Sequence, residues 1–364
     1  MKVAIVYDRI NKWGGAERVL LALHELFPNA PLFTSVYYKE KAVWAKDFEI
    51  RSSFLQNFPF AKGGHELYPI LMPQVFESFD FAEYDVVISV TSEAAKGIIT
   101  KPGTLHICYC LTPTRYLWSG YDQYFQTPLV RFLSYPFVRY LRMWEKIAAN
   151  RPDIFVAISH EVQDRIKRYY QRDSAVIYPP VSLFEKYTHL RRKQGGYYLV
   201  VSRLVPYKKV ELAIKACNTL KRDLVIVGVG SEMTRLRRIA GPTVTFKGSL
   251  TDDELANVYV GAKAVIFPGF EDFGIVMGEA LGFGKPVIAY KKGGALDLIK
   301  DKKTGILFQD QTIKSLTQAI LSFEKRVFDT KVLESEAKHF SKKVFKDSIS
   351  LLIDQALQKT SFIL

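Results

Sequence analysis

The chain is 364 residues long, 48% hydrophobic and 24% charged, which describes a folded globular protein and excludes a disordered or fibrous one. Its 51 Lys and Arg against 37 Asp and Glu give a formal charge of +14, which favours anionic partners: nucleotides and acidic lipid surfaces, with no nucleic-acid module in evidence. No apolar run reaches the ~20 residues of a membrane-spanning helix, and the 3 cysteines, Cys108, Cys110 and Cys217, form neither a disulfide framework nor a metal spacing.

The first predicted element is a strand at 3–7, met at once by Asp8 and a turn. The start therefore reads as a strand and not a leader, and the protein is expected in the cytoplasm, at most peripheral to the inner membrane face. Trp13-Gly14-Gly15-Ala16-Glu17-Arg18 opens a helix at 15–26. Two glycines there let a phosphate approach the backbone with no side chain in the way, although a tight strand-to-helix turn explains them equally well. Strands follow at 32–37, 85–90, 104–109, 153–158 and 174–178, with a helix at 160–170. Between them, Arg115 to Lys146 interleaves Arg131, Arg139, Arg142 and Lys146 with Trp, Tyr, Phe and Leu. Such a segment suits the boundary between water and anionic lipid; a core-packing segment with solvated arginines is the other reading.

Residues 182–196, SLFEKYTHLRRKQGG, are polar and basic and end in two glycines, which reads as a linker. A second series of strands lies at 197–202, 223–228, 243–247, 263–267 and 286–290, with helices at 208–220, 252–261 and 274–283. Arg203 and Lys208 sit between the first strand of this series and its helix, where an Arg fork and a Lys point charge neutralise a diphosphate. Gly228-Val229-Gly230 lacks the third glycine of a dinucleotide fingerprint, Met233 standing in its place, so a simple turn is the better reading and a nicotinamide dehydrogenase is disfavoured.

The most informative stretch is Glu271-Asp-Phe-Gly-Ile-Val-Met-Gly-Glu279. One carboxylate falls on the loop after a buried strand and the other on the helix that begins near Gly274. The helix's free N–H groups lie between them as an anion site. Carboxylates there accept from sugar and ribose hydroxyls while the amides hold phosphate. No Asp-x-Asp pair occurs, so a metal-held diphosphate is not indicated and protein cations must do that work. Val344, Phe345, Ile349, Leu351 and Leu352 recur at helical spacing and predict a terminal helix; the sequence leaves open whether it packs back on the first domain.

Strand–helix alternation on this scale predicts an α/β protein of two doubly wound, parallel-sheet (Rossmann-like) domains facing a central cleft, 1–181 and 197–340, with 341–364 as the terminal helix.

Taken in order, the Gly14-Gly15 loop, Arg203 with Lys208, the turn at Gly228 and the pair Glu271 and Glu279 resemble the family 4 retaining glycosyltransferases of the GT-B fold, over nearly the whole chain. The stretch Cys108-Tyr109-Cys110-Leu111-Thr112-Pro113-Thr114-Arg115-Tyr116-Leu117-Trp118 resembles their mannosyltransferase-like branch, which commonly has a histidine where this chain has Leu111. The resemblance implies a hexose, mannose foremost, moved with retention from a nucleotide-diphosphate sugar such as GDP-mannose to a glycan or lipid-linked acceptor. It also implies that 1–181 is the acceptor side and that 197–340 binds the nucleotide sugar. No cofactor or metal is implied. Arg203, Lys208 and Glu271 would be catalytic, the two cations on the leaving phosphates and Glu271 on the transferred sugar rather than as a covalent nucleophile. Gly14, Gly15, Phe273, Gly274, Ile275 and Val276 would line the donor, Glu279 would hold the ribose hydroxyls, and Thr112, Pro113, Arg115 and Tyr116 would face the acceptor. A nucleotide-sugar epimerase, or a non-catalytic nucleotide-sugar or glycolipid binding protein, is the alternative.

Overall fold

Parallel strands buried on both faces need continuous apolar sequence, and VAIVY, VVISVT and LVIV supply it. The computed structural model describes residues 1–187, 189–190 and 196–361. They fall into two units, Met1–Tyr178 with Phe345–Leu364, and Pro179–Val344.

The first unit is built on seven parallel strands: β1 (Val3–Tyr7), β2 (Leu32–Thr34), β3 (Ile50–Ser52), β4 (Val86–Thr91), β5 (Leu105–Cys110), β6 (Ile154–Ala157) and β7 (Ala175–Val176). Their order is β3-β2-β1-β4-β5-β6-β7. Every residue of β1, β4 and β5 is buried. The chain runs outward from β1 to β3 and returns to β4, so the strand order reverses between β1 and β4, the crevice where open sheets take ligands. Here the crevice is filled from within. The Asp8 carboxylate, directly after β1, accepts from the Thr91 hydroxyl at 2.9 Å and from the amides of Ser92, Glu93, Ala94 and Ala95 at 2.6, 3.0, 3.0 and 2.9 Å. An amide cradle of the kind an external anion would use is already occupied by the protein's own.

The basic aromatic stretch divides into a short helix, Tyr121–Tyr124, and a long one, Pro128–Ala148, with Pro136 inside it. The terminal helix, Lys342–Ser361, buries Phe345, Ile349 and Ile353, so its inward stripe differs from the predicted one, and Val344 and Leu351 face water. Phe345 meets Tyr109 of β5 edge-on at 5.7 Å, and Lys346 pairs with Glu25 at 3.3 Å. No described helix is long and apolar enough to cross a membrane.

His106 on β5 lies wholly inside the first unit, its Nε2 2.8 Å from Ser89 Oγ. Burial, aided by Arg151 and Arg172, holds its pKa down to about 3. The unfolded chain takes up this proton below about 6.5 and the folded chain does not, so its contribution to stability is complete above that pH and is lost as pH falls towards 3. The expected loss is about 1.4 kcal/mol per pH unit. Unfolding followed between pH 6 and 4 by fluorescence checks this, since all 4 tryptophans (Trp13, Trp44, Trp118 and Trp144) belong to this unit. His106→Gln should flatten the pH slope.

The second unit holds β8 (Tyr197–Val201), β9 (Leu224–Val227), β10 (Val244–Gly248), β11 (Ala262–Phe267), β12 (Val287–Tyr290) and β13 (Gly305–Phe308), all parallel in the order β10-β9-β8-β11-β12-β13. One face is covered by the helices Val210–Leu220 and Ile313–Glu324, whose Ala213, Cys217, Leu316 and Ile320 join Val200, Ile226, Ile266 and Ile288 in a single core. The stretch read as a linker, 182–196, begins inside this unit, which starts at Pro179. Leu183–Lys186 is a helix, and a Cβ on Gly282 would run into its Phe184 ring. Residues 188 and 191–195 of that stretch lie outside the described ones.

Candidate functional site

In the second unit the strand order reverses between β8 and β11, and the loops at the carboxyl edge there are stacked backbone on backbone. Glycine stands at each crossing because nothing else fits. Gly228, after β9, has φ +129°, and a Cβ there would strike the Ser202 carbonyl; one on Gly230 would strike Leu204. Gly269, after β11, leaves room for the backbone of Lys208, and Gly293 and Gly294, after β12, for that of Glu271 and Phe273. The Gly294 amide donates to the Glu271 carbonyl at 2.9 Å. The glycine pair at 228 and 230 thus lets two loops pack backbone to backbone, in keeping with the turn read from the sequence.

This stacking brings three of the sequence-predicted groups together. A short turn, Pro206–Lys208, ends at Lys209 in the left-handed region (φ 53°) and presents Lys208. The Lys208 ammonium forms an ion pair with the Glu271 carboxylate, the two side chains keeping 13% and 18% of their surface open to water. Lys208 Nζ also lies 5.9 Å from the Phe267 ring centroid, over its face. Three residues on, Gly274 caps the helix Ile275–Gly282 in the left-handed region, with no side-chain cap hydrogen bond and no acid in the first turn. A Cβ built on Gly274 would lie 3.8 Å from the Glu271 Cβ, so Glu271 springs from the chain beside the helix start. The amides of Ile275 and Val276 therefore add a partial positive charge to that of Lys208.

The other donor-side residues are placed differently. Arg203 is exposed and donates to the Tyr207 hydroxyl at 2.7 Å. Phe273 is buried, edge-on to Phe340 at 5.8 Å, and anchors the loop through its ring. Glu279 is 1% exposed and accepts from the Tyr259 hydroxyl at 2.8 Å. Tyr259 in turn stacks on Phe283 at 5.0 Å. Glu279, expected to hold ribose hydroxyls, is thus buried and shares its carboxylate with Tyr259.

In the first unit, Gly14 and Gly15 are exposed at the start of the helix Gly15–Leu26, with no side-chain cap. Below them, burial pushes up the Glu17 carboxyl, which accepts from the Tyr7 hydroxyl at 3.0 Å. Thr112 is buried and takes an Arg165 N–H at 3.1 Å; Pro113 is buried, and Arg115 and Tyr116 are half-buried. The stretch from Thr112 to Trp118 is pinned from beneath by Glu145, which accepts from Lys96 at 2.5 Å, from Tyr170 at 2.8 Å and from Thr114 and Trp118. Sequence reading misses this hub, and it also misses a second cluster. Arg9 pairs with Glu93 at 2.6 Å, and His65 Nε2 lies 3.6 Å from the same carboxylate. Burial would raise Glu93, but Arg9 and His65 hold it down to about 2. The available signal was position, since Arg9 and Glu93 each follow one of the strands that flank the switch point.

Residues 181–340 match the family profile of the glycosyl transferases group 1. The whole chain superposes on the crystal structure of Anabaena HepE in complex with UDP, with a TM-score of 0.70 and 19% identity, covering 98% of this chain and 100% of that one. At such identity the likeness is one of fold. The chain is similar to a GDP-mannose-dependent alpha-mannosyltransferase of Mycolicibacterium smegmatis, 39% identical over 125 residues, 33% of each chain. It is also similar to a glycosyltransferase of Methanocaldococcus jannaschii, 25% identical over 209 residues, 56% of this chain and 58% of that one. The chain thus spans between a third and somewhat over half the length of these curated relatives.

Proposed function

We propose that this chain, whose residues 181–340 belong to the glycosyl transferases group 1 family in a GT-B fold, moves a hexose from a nucleotide-diphosphate sugar to a glycan or lipid-linked acceptor, with retention of anomeric configuration and without a metal. The observation that carries this reading is the Lys208–Glu271 pair beside the bare helix start at Gly274. A diphosphate takes over the Lys208 ammonium and the Ile275 and Val276 amides, with Arg203 free to swing onto its outer oxygens. A hexose hydroxyl then replaces Lys208 as the donor to Glu271. As the glycosidic C–O bond breaks, charge gathers on the departing phosphate, and groups already in place stabilise it more in the transition state than in the bound sugar nucleotide. The acceptor hydroxyl attacks from the same face and gives its proton to the leaving phosphate oxygen, so no separate protein base is needed. Thr112, Pro113, Arg115 and Tyr116 are the acceptor-side residues in this reading, and the basic aromatic segment 115–146 brings the enzyme to an anionic membrane.

Mannose is favoured by the similarity to the GDP-mannose-dependent relative, and the UDP bound to HepE marks the competing donor. Melting of the protein with GDP, GDP-mannose, UDP and UDP-glucose tests the reading. A ligand present at a hundred times its dissociation constant stabilises by about 2.7 kcal/mol, and GDP-mannose is expected to raise the melting temperature above GDP and both uridine ligands. No shift with any of the four removes the assignment. A shift without release of nucleotide in the presence of membrane extract makes the protein a binder.

A further inference from the structure

We infer that the outer face of the helix Pro128–Ala148 docks on the anionic headgroups of a bilayer, and that the groove beside Trp118 seats one lipid phosphate. The inference rests on the membrane contact proposed above and assigns it a site.

The two halves of this helix are packed differently. From Val138 onward it is an ordinary surface helix, with Val138, Leu141, Glu145 and Ala148 turned inward. From 128 to 137 no side chain is buried. Leu129 is 67% exposed, Phe132 78%, Leu133 60%, Tyr135 59% and Phe137 50%. A helix that only covers its own unit hides its apolar stripe, whereas this one leaves a broad apolar face exposed for nearly three turns.

The charges on the same helix have one sign. Arg131, Arg139, Arg142 and Lys146 are its cations, and its only acid, Glu145, is 1% exposed and held by Lys96. Arg131 pairs with Asp122 at 2.8 Å, while among the described residues Arg139 and Lys146 have no carboxylate partner. Arg139, Arg142 and Lys146 line a groove of about 580 Å³ with Trp118, Tyr121 and Tyr135. Its cationic wall is preset. The Arg142 guanidinium lies 5.4 and 4.8 Å from the Trp118 and Tyr121 ring centroids and donates to the Leu117 carbonyl at 2.7 Å. Trp118 is itself fixed by stacking on Tyr169 at 5.0 Å.

A bilayer suits this combination and the alternatives do not. Bare Leu and Phe enter the acyl boundary, Trp and Tyr take the interface, and cations meet phosphate. A second copy joined through the same patch would press four cations against four. A nucleic acid would give Leu129, Phe132 and Leu133 nothing to bury against.

The test is co-sedimentation of the full chain with vesicles of phosphatidylcholine alone and of phosphatidylcholine with phosphatidylglycerol in equal parts. Binding to the anionic vesicles is expected to be at least roughly tenfold stronger. Arg139→Gln with Lys146→Gln should weaken binding to the anionic vesicles by roughly 25-fold, about fivefold per cation, and leave the neutral ones unchanged. Phe132→Ser with Leu133→Ser should weaken binding to both. These side chains are exposed, so folding is not at stake, and melting curves verify it. The inference is overturned if wild type binds neither vesicle, if the charge variant binds both as wild type does, or if sedimentation velocity without lipid shows a dimer that the Phe132→Ser, Leu133→Ser variant dissolves. Melting with GDP-mannose on the same proteins keeps the two readings apart, because its failure sinks the donor assignment and leaves the vesicle result standing.

Discussion

Lys208→Met is expected to slow hexose transfer by on the order of 10²–10³-fold, the usual consequence of removing one preorganised charge from a leaving group. The loss should fall on kcat more than on KM, because the phosphate carries its greatest charge only as the sugar departs. Release of free nucleotide in acceptor extract measures it, with melting followed in parallel because the variant leaves the Glu271 carboxylate poorly solvated. A kcat equal to that of wild type would falsify the catalytic assignment. Glu271→Gln keeps the shape of the side chain and gives up its hold on Lys208. Its transfer should also be slow, yet the bare nucleotide diphosphate should bind it several-fold more tightly than it binds wild type.

The second large effect is on folding. Lys96 and Glu145 are each 1% exposed. Burial alone would lower the Lys96 pKa, but Glu145 raises it, so the lysine stays charged. Glu145→Leu strips that ammonium of its counter-ion where water cannot replace it, and leaves the donors on Thr114, Trp118 and Tyr170 without their shared acceptor. A loss of about 3–5 kcal/mol is expected, a large part of the ~5–15 kcal/mol that holds a typical domain. Adding Lys96→Met should restore much of it, since replacing a buried pair by apolar groups is often neutral. Urea unfolding read by tryptophan fluorescence reports on this unit alone. If the double variant is no more stable than the single one, the penalty does not come from the stranded charge.

The sheets were legible in the sequence because buried parallel strands cannot alternate polar and apolar residues, so 3–7, 85–90, 197–202 and 263–267 stand out as runs. β3 and β13 escape the same reading. β3 is three residues at an edge with Arg51 and Ser52 exposed, and β13 opens on Gly305, whose Cβ would strike the Val287 carbonyl. The period of the helix Pro128–Ala148 does not tell which of its faces is buried, because its first half has no inside to face. Arg203, Lys208 and Glu271 could be singled out as candidates because each lies in a loop that follows a strand. The partners of Asp8, Glu145 and Glu279 could not. Asp8 takes its amides from 84 to 87 residues away, and Tyr259 comes to Glu279 from another helix. Only the folded sheet sets those distances.

On the proposed reading, the pairing of Lys208 with Glu271 bears on turnover as well as on binding. With nothing bound, the cation and the carboxylate neutralise each other, and a stray phosphate would gain little by displacing the acid. A sugar nucleotide would gain more, because its hydroxyl would compensate the acid while its phosphate compensated the lysine. Once a hexose had moved on, that balance would fail: the spent nucleotide would still occupy the ammonium, the carboxylate would have lost its hydroxyl, and its pull on the lysine would become a push on the product. The acid that helped admit such a substrate would then hasten the exit of what remained of it.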